Sequence, residues 1–364
     1  MGNSYEKAGV NYDILDAAKR EALLLARQTA SYPAGQGVML DESSFGESAT
    51  VIDVAGQKLA FVLECLGTKS LIAKQYFEMS HEDRFEDIAY DAVAAIVNDL
   101  ICVGAIPMVI NAYFATGSSD FYENPYAFSL ARGWQAACKD SGAAWGGGES
   151  PTLSGLIKEG AVEVAGSAVG KIPNGLEPLS GDRLEPGDDI VLIYSNGMHT
   201  NGASLARQIA SQLPDSYLTL LDSGRTFGSA VLDKSFIYQD VVADLSTKGD
   251  ILHYASHITG HGLRKIMRAD RELTYRLHTL TPVPEVLQFM VQQTEMSKEE
   301  AYATLNMGAG FALYISAGRG EEAVLAAEAL GHGAIVAGKV EEGKKCLIVE
   351  PISATYGAED LLIR

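Results

Sequence analysis

Cationic side chains are scarce: 28 Lys and Arg stand against 47 Asp and Glu in 364 residues, a formal net charge of -19. A field of that sign repels a phosphate backbone, which argues against nucleic-acid binding. An anionic small molecule must be held by local devices: helix N-termini, a few Lys or His, or a metal ion. Cysteine is sparse as well. Cys65, Cys102, Cys138 and Cys346 lie far apart with no CxxC, which excludes a zinc knuckle or disulfide framework and suits a reducing cytosol. No basic stretch followed by an apolar one opens the sequence, and Glu6 stands where a myristoylation signal needs Ser or Thr. No apolar run reaches the ~18 residues of a membrane span; the longest, near Ala92–Val97, is broken by Asn98 and Asp99. HExxH, GxSxG and the dinucleotide GxGxxG are missing, against hydrolase and dehydrogenase readings. A soluble cytoplasmic protein is expected.

What is present is ordinary globular composition, 47% apolar and 21% charged, and a length that suggests two domains at roughly 100–200 residues each. Apolar spacing predicts helices over 13–30, 86–102 and 125–141, and strands at 51–54, 59–63, 108–114 and 161–169. These strands show little alternation, as strands covered on both faces would. Pro173, Gly175, Pro178, Gly181, Pro186 and Gly187 then punctuate the chain, which places a domain boundary near residue 175. Beyond it come strands at 190–194, 311–315 and 346–349, and helices from about Ala203, over 229–246, 285–294 and 321–330. Another helix starts at the capping pair Ser297 and Glu300. Strands and helices mix without a strict βαβ rhythm, so two α+β domains are expected, 1–175 and 176–364.

Several segments carry candidate chemistry. Gly67-Thr68-Lys69-Ser70 follows a strand and has the composition of a phosphate loop in the wrong order; it reads equally as a surface turn. Asn98-Asp99 sits on the most apolar helix, with Asp91 on the same face as Asn98. A carboxylate there needs a partner, either a structural network or Mg²⁺. The Gly146-Gly147-Gly148-Glu149 run reads as a flexible turn or a ligand loop. Ser195 to Gly202 joins a strand to a helix and offers free amides, with His199 available to an anion or as proton donor. His253, His257 and His261 are spaced by four, but Thr259–Gly262 is a turn, so one helix cannot present all three to zinc. That turn reads as a second glycine loop opening a helix at Leu263.

Taken in order, Tyr5-Glu6-Lys7-Ala8-Gly9-Val10, Gly67-Thr68-Lys69, Val97-Asn98-Asp99-Leu100, Tyr113-Phe114-Ala115-Thr116-Gly117, Gly147-Gly148-Glu149, Gly197 through Leu205, His257-Ile258-Thr259-Gly260 and Asn306-Met307-Gly308 resemble the phosphoribosylformylglycinamidine cyclo-ligase (aminoimidazole ribonucleotide synthetase) family. The resemblance implies two α+β domains, with N-terminal domains pairing across a homodimer to form a β-barrel. It also implies ATP and Mg²⁺ as cofactors and a phosphoribosyl amidine as substrate. ATP would phosphorylate the formyl amide oxygen of formylglycinamidine ribonucleotide, and an internal nitrogen would displace phosphate to close the imidazole ring. On the same resemblance, catalysis would fall to Lys69, Asp99 and His199. Gly67, Thr68, Lys69, Asn98, Asp99, Gly148 and Glu149 would meet ATP, and Asp99, Glu149 and Glu64 the metal. Asn201, Gly202, Ser204, Thr259, Gly260 and His261 would face substrate or phosphate.

The chain departs from the family pattern in places. Glu64-Cys65-Leu66 stands for Asp-Gly-Val, and the segment after Glu149 lacks a second Glu and a Met-Pro. Phe236 replaces an arginine, and His261 replaces the middle glycine of three. His261 is therefore expected to supply part of the cation lost at Phe236.

Overall fold

The computed structural model describes residues 12–361; the Tyr5–Val10 motif lies outside the described residues. The chain forms two α+β domains, each built on one sheet. The first contains α1 (Tyr12–Gln28), β1 (Val38–Leu40), β2 (Thr50–Val54), β3 (Gln57–Cys65), α2 (Lys69–Ser80) and α3 (Phe85–Ile101), followed by β4 (Ile106–Thr116), α4 (Pro125–Asp140), β5 (Ala144–Glu149) and β6 (Val162–Lys171). Its strands run in the order β1-β2-β3-β6-β4-β5. The second contains β7 (Asp189–Tyr194), α5 (Ala203–Gln212), α6 (Phe227–Val231), α7 (Gln239–Ser246), β8 (Leu252–His257), β9 (Leu273–Leu277) and α8 (Glu285–Thr294). It closes with α9 (Lys298–Thr304), β10 (Ala309–Ile315), α10 (Gly320–Ala329), β11 (Ala334–Glu342), β12 (Cys346–Val349) and β13 (Ala354–Gly357). Here the order is β13-β12-β9-β11-β7-β10-β8, with the fully buried β10 near one edge. No helix among the described residues is long and apolar enough to cross a membrane.

Helix α3 is buried along nearly its whole length. It is pressed between the first sheet, α4 and the second domain, and its alanines permit that. On α4, Gly133 is the contact point: a Cβ there would lie 2.0 Å from the Glu86 carbonyl oxygen. The sheet is covered on one face only. Ala60 and Val62 point into the core, whereas their neighbours Phe61 and Leu63 are 38% and 74% exposed. Strand β3 is thus apolar on both faces, as its poor alternation predicts, but one face is bare. Within one protomer the sheet stays open, with β1 and β5 as its edges.

Three local expectations need correction. The glycine run at 146–148 is strand rather than turn: β5 pairs in parallel with β4. Its backbone lies so close that a Cβ on Gly148 would sit 1.9 Å from the Ala112 oxygen. The helix expected over 229–246 is two helices, α6 and α7, because the stretch between them donates its backbone to α3. His253 and His257 lie on strand β8, and the segment after His261 is a short 3-10 helix, Gly262–Met267.

The two domains are joined by buried polar contacts. Lys69 Nζ and Asp91 Oδ2 form an ion pair at 2.5 Å with neither side chain exposed. Lys69 also donates to the backbone oxygens of His199 at 2.8 Å and Asp233 at 3.4 Å, while Asp91 Oδ1 accepts from Ser235 N at 2.5 Å. Burial pushes the Asp91 carboxyl up, and the Lys69 charge opposes that shift. Two turns on, Asn98 spends both ends of its amide on the second domain: Nδ2 donates to Phe236 O at 2.8 Å and Oδ1 accepts from Tyr238 N at 3.0 Å. Breaking a buried pair from one side leaves a charge without compensation. Lys69→Met should therefore lower the unfolding free energy by about 3–5 kcal/mol, and adding Asp91→Leu should restore most of it; urea titrations of the two variants check this.

Candidate active site

A cleft of about 710 Å³ opens between the domains, a volume suited to a nucleotide-sized ligand. Asp99, near the end of α3, and Glu64, near the end of β3, meet on its first-domain side. His257, at the end of β8, faces them from the second domain, and its Nδ1 donates to Asp99 Oδ1 at 2.7 Å. Burial alone would raise the Asp99 carboxyl. The His257 bond and charge, helped by Lys265 and Arg268, outweigh it and hold Asp99 below the usual carboxylate range. Glu64 goes the other way, because burial and then the Asp99 charge push it up to about 8. At neutral pH one carboxyl is ionised and its neighbour keeps a proton, so the two share a hydrogen bond.

The rest of the wall is also built from both domains. Tyr254 Oη donates to Glu47 Oε2 at 2.7 Å, and Arg268 Nη2 to Gly46 O at 3.0 Å, fastening the Gly46–Ser48 loop to the second sheet. Thr200 and Asn201 approach from the loop after β7, with Asn201 Nδ2 donating to Thr200 Oγ1 at 3.2 Å. Thr259, Gly260 and His261 line the cleft beside Lys265. Burial, and then repulsion from Arg268, lower the Lys265 ammonium to about 8.

The residues expected to form one site are thus divided. Asp99, Glu64, Asn201, Thr259, Gly260 and His261 share the cleft. Lys69 and Asn98 do not reach it, since both are spent on the domain interface. Gly67 turns the chain at φ 67°, and Thr68 Oγ1 lies 3.3 Å from Ser204 Oγ, another interdomain contact. Gly202, at φ 105°, is buried at the start of α5. Glu149 and Gly148 are exposed on edge strand β5. The row Glu64–Gly166–Ala112–Gly148 crosses three strand spacings, roughly 14 Å, so Glu149 does not join the carboxyl pair. Among the described residues no group of three or more His, Cys, Asp or Glu could hold a metal.

His261 keeps a left-handed backbone at φ 72°, a conformation that favours glycine. The 3-10 helix behind it lacks the amide array of an α-helix. Sequence reasoning missed Glu47, Lys265 and Arg268, and it weighed His257 only as a zinc ligand. A signal for the cations was present: in so acidic a chain, four basic residues crowd between Arg264 and Arg271.

His199 is a correction too. Its ring is buried, Nε2 lies 3.0 Å from Asn196 Oδ1, and Nδ1 has no partner among the described residues. Burial, with the His257 and Lys69 charges, lowers its pKa from 6.5 to about 3. The neutral ring is no cation for an anion; its backbone oxygen is what binds, through Lys69. Below pH 6.5 the unfolded chain takes up a proton that the folded one refuses down to about 3, so stability should fall across that window by about 1.4 kcal/mol per pH unit. His199→Asn tolerates the φ of 59° and should remove that slope, as denaturation midpoints between pH 7 and 5 would register.

Two family models match: AIR synthase related protein, N-terminal domain, over residues 46–172, and its C-terminal domain over residues 185–349. The phosphoribosylformylglycinamidine cyclo-ligase of Methanococcus vannielii is 30% identical over 82% of this chain and 82% of its own length. That of Clostridium novyi is 30% identical over 93% and 97%, and that of Pyrococcus furiosus 29% over 88% and 90%. Among solved structures, the HypE–HypF complex superposes with TM-score 0.61 at 15% identity, covering 87% of this chain and 95% of that one. Hydrogenase maturation protein HypE in complex with ATP gives 0.57 at 18%, covering 82% and 83%. At these identities the solved structures speak for the fold alone. The domain models and the curated relatives span most of the sequence, and on that ground the chain belongs to the AIR synthase related family.

Proposed function

We infer that the chain is an ATP-dependent cyclo-ligase that converts formylglycinamidine ribonucleotide to aminoimidazole ribonucleotide, working in the cytoplasm as a homodimer. An amide oxygen is a poor leaving group. Transfer of the γ-phosphoryl group to that oxygen makes it a good one; the internal nitrogen then forms its bond to the same carbon as phosphate departs. Such a reaction asks for positioning and charge neutralisation more than for a nucleophile from the protein. The observation that carries this reading is the interdomain cleft, where the Asp99–Glu64 carboxyl pair faces the Thr200-Asn201 and Thr259–His261 loops.

The donor chemistry suits Mg²⁺, which takes hard oxygens from one or two carboxylates and leaves its other positions to water and phosphate. Asp99 and Glu64 are two such donors side by side, and the proton they share stands where a cation's charge would serve. When bound, Mg²⁺ neutralises charge on the transferring phosphoryl group. His257 holds Asp99 ionised and oriented. The two loops orient the ribonucleotide, and Lys69, Asn98 and His199 fix the walls. Asp99→Asn should abolish ATP turnover in the presence of formylglycinamidine ribonucleotide while leaving the thermal midpoint near that of the parent. Normal turnover by a folded variant would refute the role.

The homodimer rests on the bare sheet face. Phe61 and Leu63 are 38% and 74% exposed there, apolar side chains of the kind that mark an interaction surface. A second copy laid on it would close the open sheets into a barrel and bring the exposed Glu149 into an interface. Sedimentation at micromolar concentration should give the dimer mass; Leu63→Lys should give the monomer.

A further inference from the structure

We propose that Lys265 is the phosphoryl-binding cation of the interdomain cleft. The inference rests on the reading of that cleft as the site of ATP-dependent chemistry. It is carried by the way the other cations are used. Lys69 is buried against Asp91. Arg268 is tied to Gly46 and Glu47. Arg264 donates to the backbone oxygens of Ala303 and Asp360, and Arg271 to those of Gly181 and Asp182. Lys19 lies exposed on the rim, on α1. Phe236, where the resemblance leads one to expect an arginine, packs against His199, Tyr238 and His332 and supplies no charge.

Lys265 differs from all of these. It is half-buried in the cleft wall. Among the described residues its ammonium has no hydrogen bond or ion pair, and the charges that act on it are Arg268, Asp99 and Glu64. The nearby acids are already occupied. Glu47 accepts from Tyr254, and Asp99 accepts from His257. A half-buried ammonium pressed by an arginine is unfavourable until an anion joins it. A phosphoryl group fits that need. It carries the charge to compensate Lys265, and beside Asp99 and Glu64 it would meet a lysine on one flank and metal-binding oxygens on the other, the arrangement phosphoryl transfer requires. The chemistry is shared by two sources, the terminal phosphate of the nucleotide and the 5′-phosphate of the ribonucleotide.

The test uses the full-length protein with Lys265→Met and Lys265→Arg. Calorimetry with ATP and, separately, with ribose 5-phosphate gives binding; steady-state assays give KM for ATP and for formylglycinamidine ribonucleotide. Lys265→Met should weaken one of the two at least about tenfold, the loss expected for a charged hydrogen bond. The nucleotide arm responds if the γ-phosphate is held, and the ribose phosphate arm if the 5′-phosphate is. Lys265→Arg should stay within a few-fold of the parent. The thermal midpoint of the methionine variant should not fall, because a merely structural lysine would cost stability and this one does not. Unchanged binding in both arms, with turnover intact, overturns the assignment and leaves the cyclo-ligase reading standing. Lys265-dependent binding without any formation of aminoimidazole ribonucleotide does the reverse.

Discussion

The buried Lys69–Asp91 pair is the constraint on which the rest of the molecule depends. Two unit charges without solvent are costly, and they persist because each is also hydrogen-bonded to backbone. Lys69 reaches the carbonyl of His199 and Asp91 reaches the amide of Ser235. One ion pair thus links the start of α2, the middle of α3, the loop after β7 and the segment between α6 and α7. Of these, α3 and the loop after β7 also line the cleft, one on each side. A site divided between domains works only if the division is held to fractions of an ångström, since small displacements of reacting groups cost large factors in rate. Asn98 repeats the device with a neutral amide two turns later.

The interior arrangement of charge follows from the exterior. A chain of net charge -19 cannot draw an anion in by its overall field, so the positive character has to be local. It is concentrated on the short segment after the Thr259–Gly262 turn, where Glu47 pairs with Arg268 and no described acid pairs with Lys265. His257 claims Asp99, Tyr254 claims Glu47, and Glu64 retains its proton because Asp99 does not. The cleft therefore pairs unspent positive charge with carboxyl oxygens, which a reaction that moves a phosphoryl group can use from both sides.

Much of the fold was legible in the sequence because it depends on local pattern. The 3.6-residue spacing of Ile88, Ala92, Ile96 and Leu100 marks α3, and the demand that Asp99 find a partner follows from the apolar stretch around it. Which partner could not be read. His257 lies 158 residues away, and only the folded chain brings it to 2.7 Å. Two of the errors share one cause, reading short polar segments as if they faced solvent. Gly67-Thr68-Lys69 has the composition of a phosphate loop, yet Lys69 points inward to an acid one helix later. His199 looked available because its loop is rich in Gly and Asn, yet tertiary packing closes over the ring. The glycines at 146–148 suggested freedom, whereas they are needed for the close approach of β5 to β4. In the first two cases burial was misread and in the third strand pairing, and both are long-range properties.

The unfinished face of the first sheet follows the same logic at a larger scale. Strand β3 alternates between Ala60 and Val62, covered by α3, and Phe61, Leu63 and Cys65, covered by nothing among the described residues. If that face were meant for water, the outward positions would be polar, as in antiparallel sheets with one solvated side. They are instead apolar. Near its end the same strand carries Glu64, whose carboxyl turns inward to Asp99, while the adjacent Cys65 lies in register, through Ala165 and Tyr113, with Glu149 on the opposite edge. One strand thus delivers a cleft residue to one face and an exposed apolar surface to the other. A contact that flattened or twisted the bare face would move Glu64 directly, because the alternation of a strand couples its two faces rigidly. The cleft and the surface on which a second copy would rest are therefore mechanically continuous.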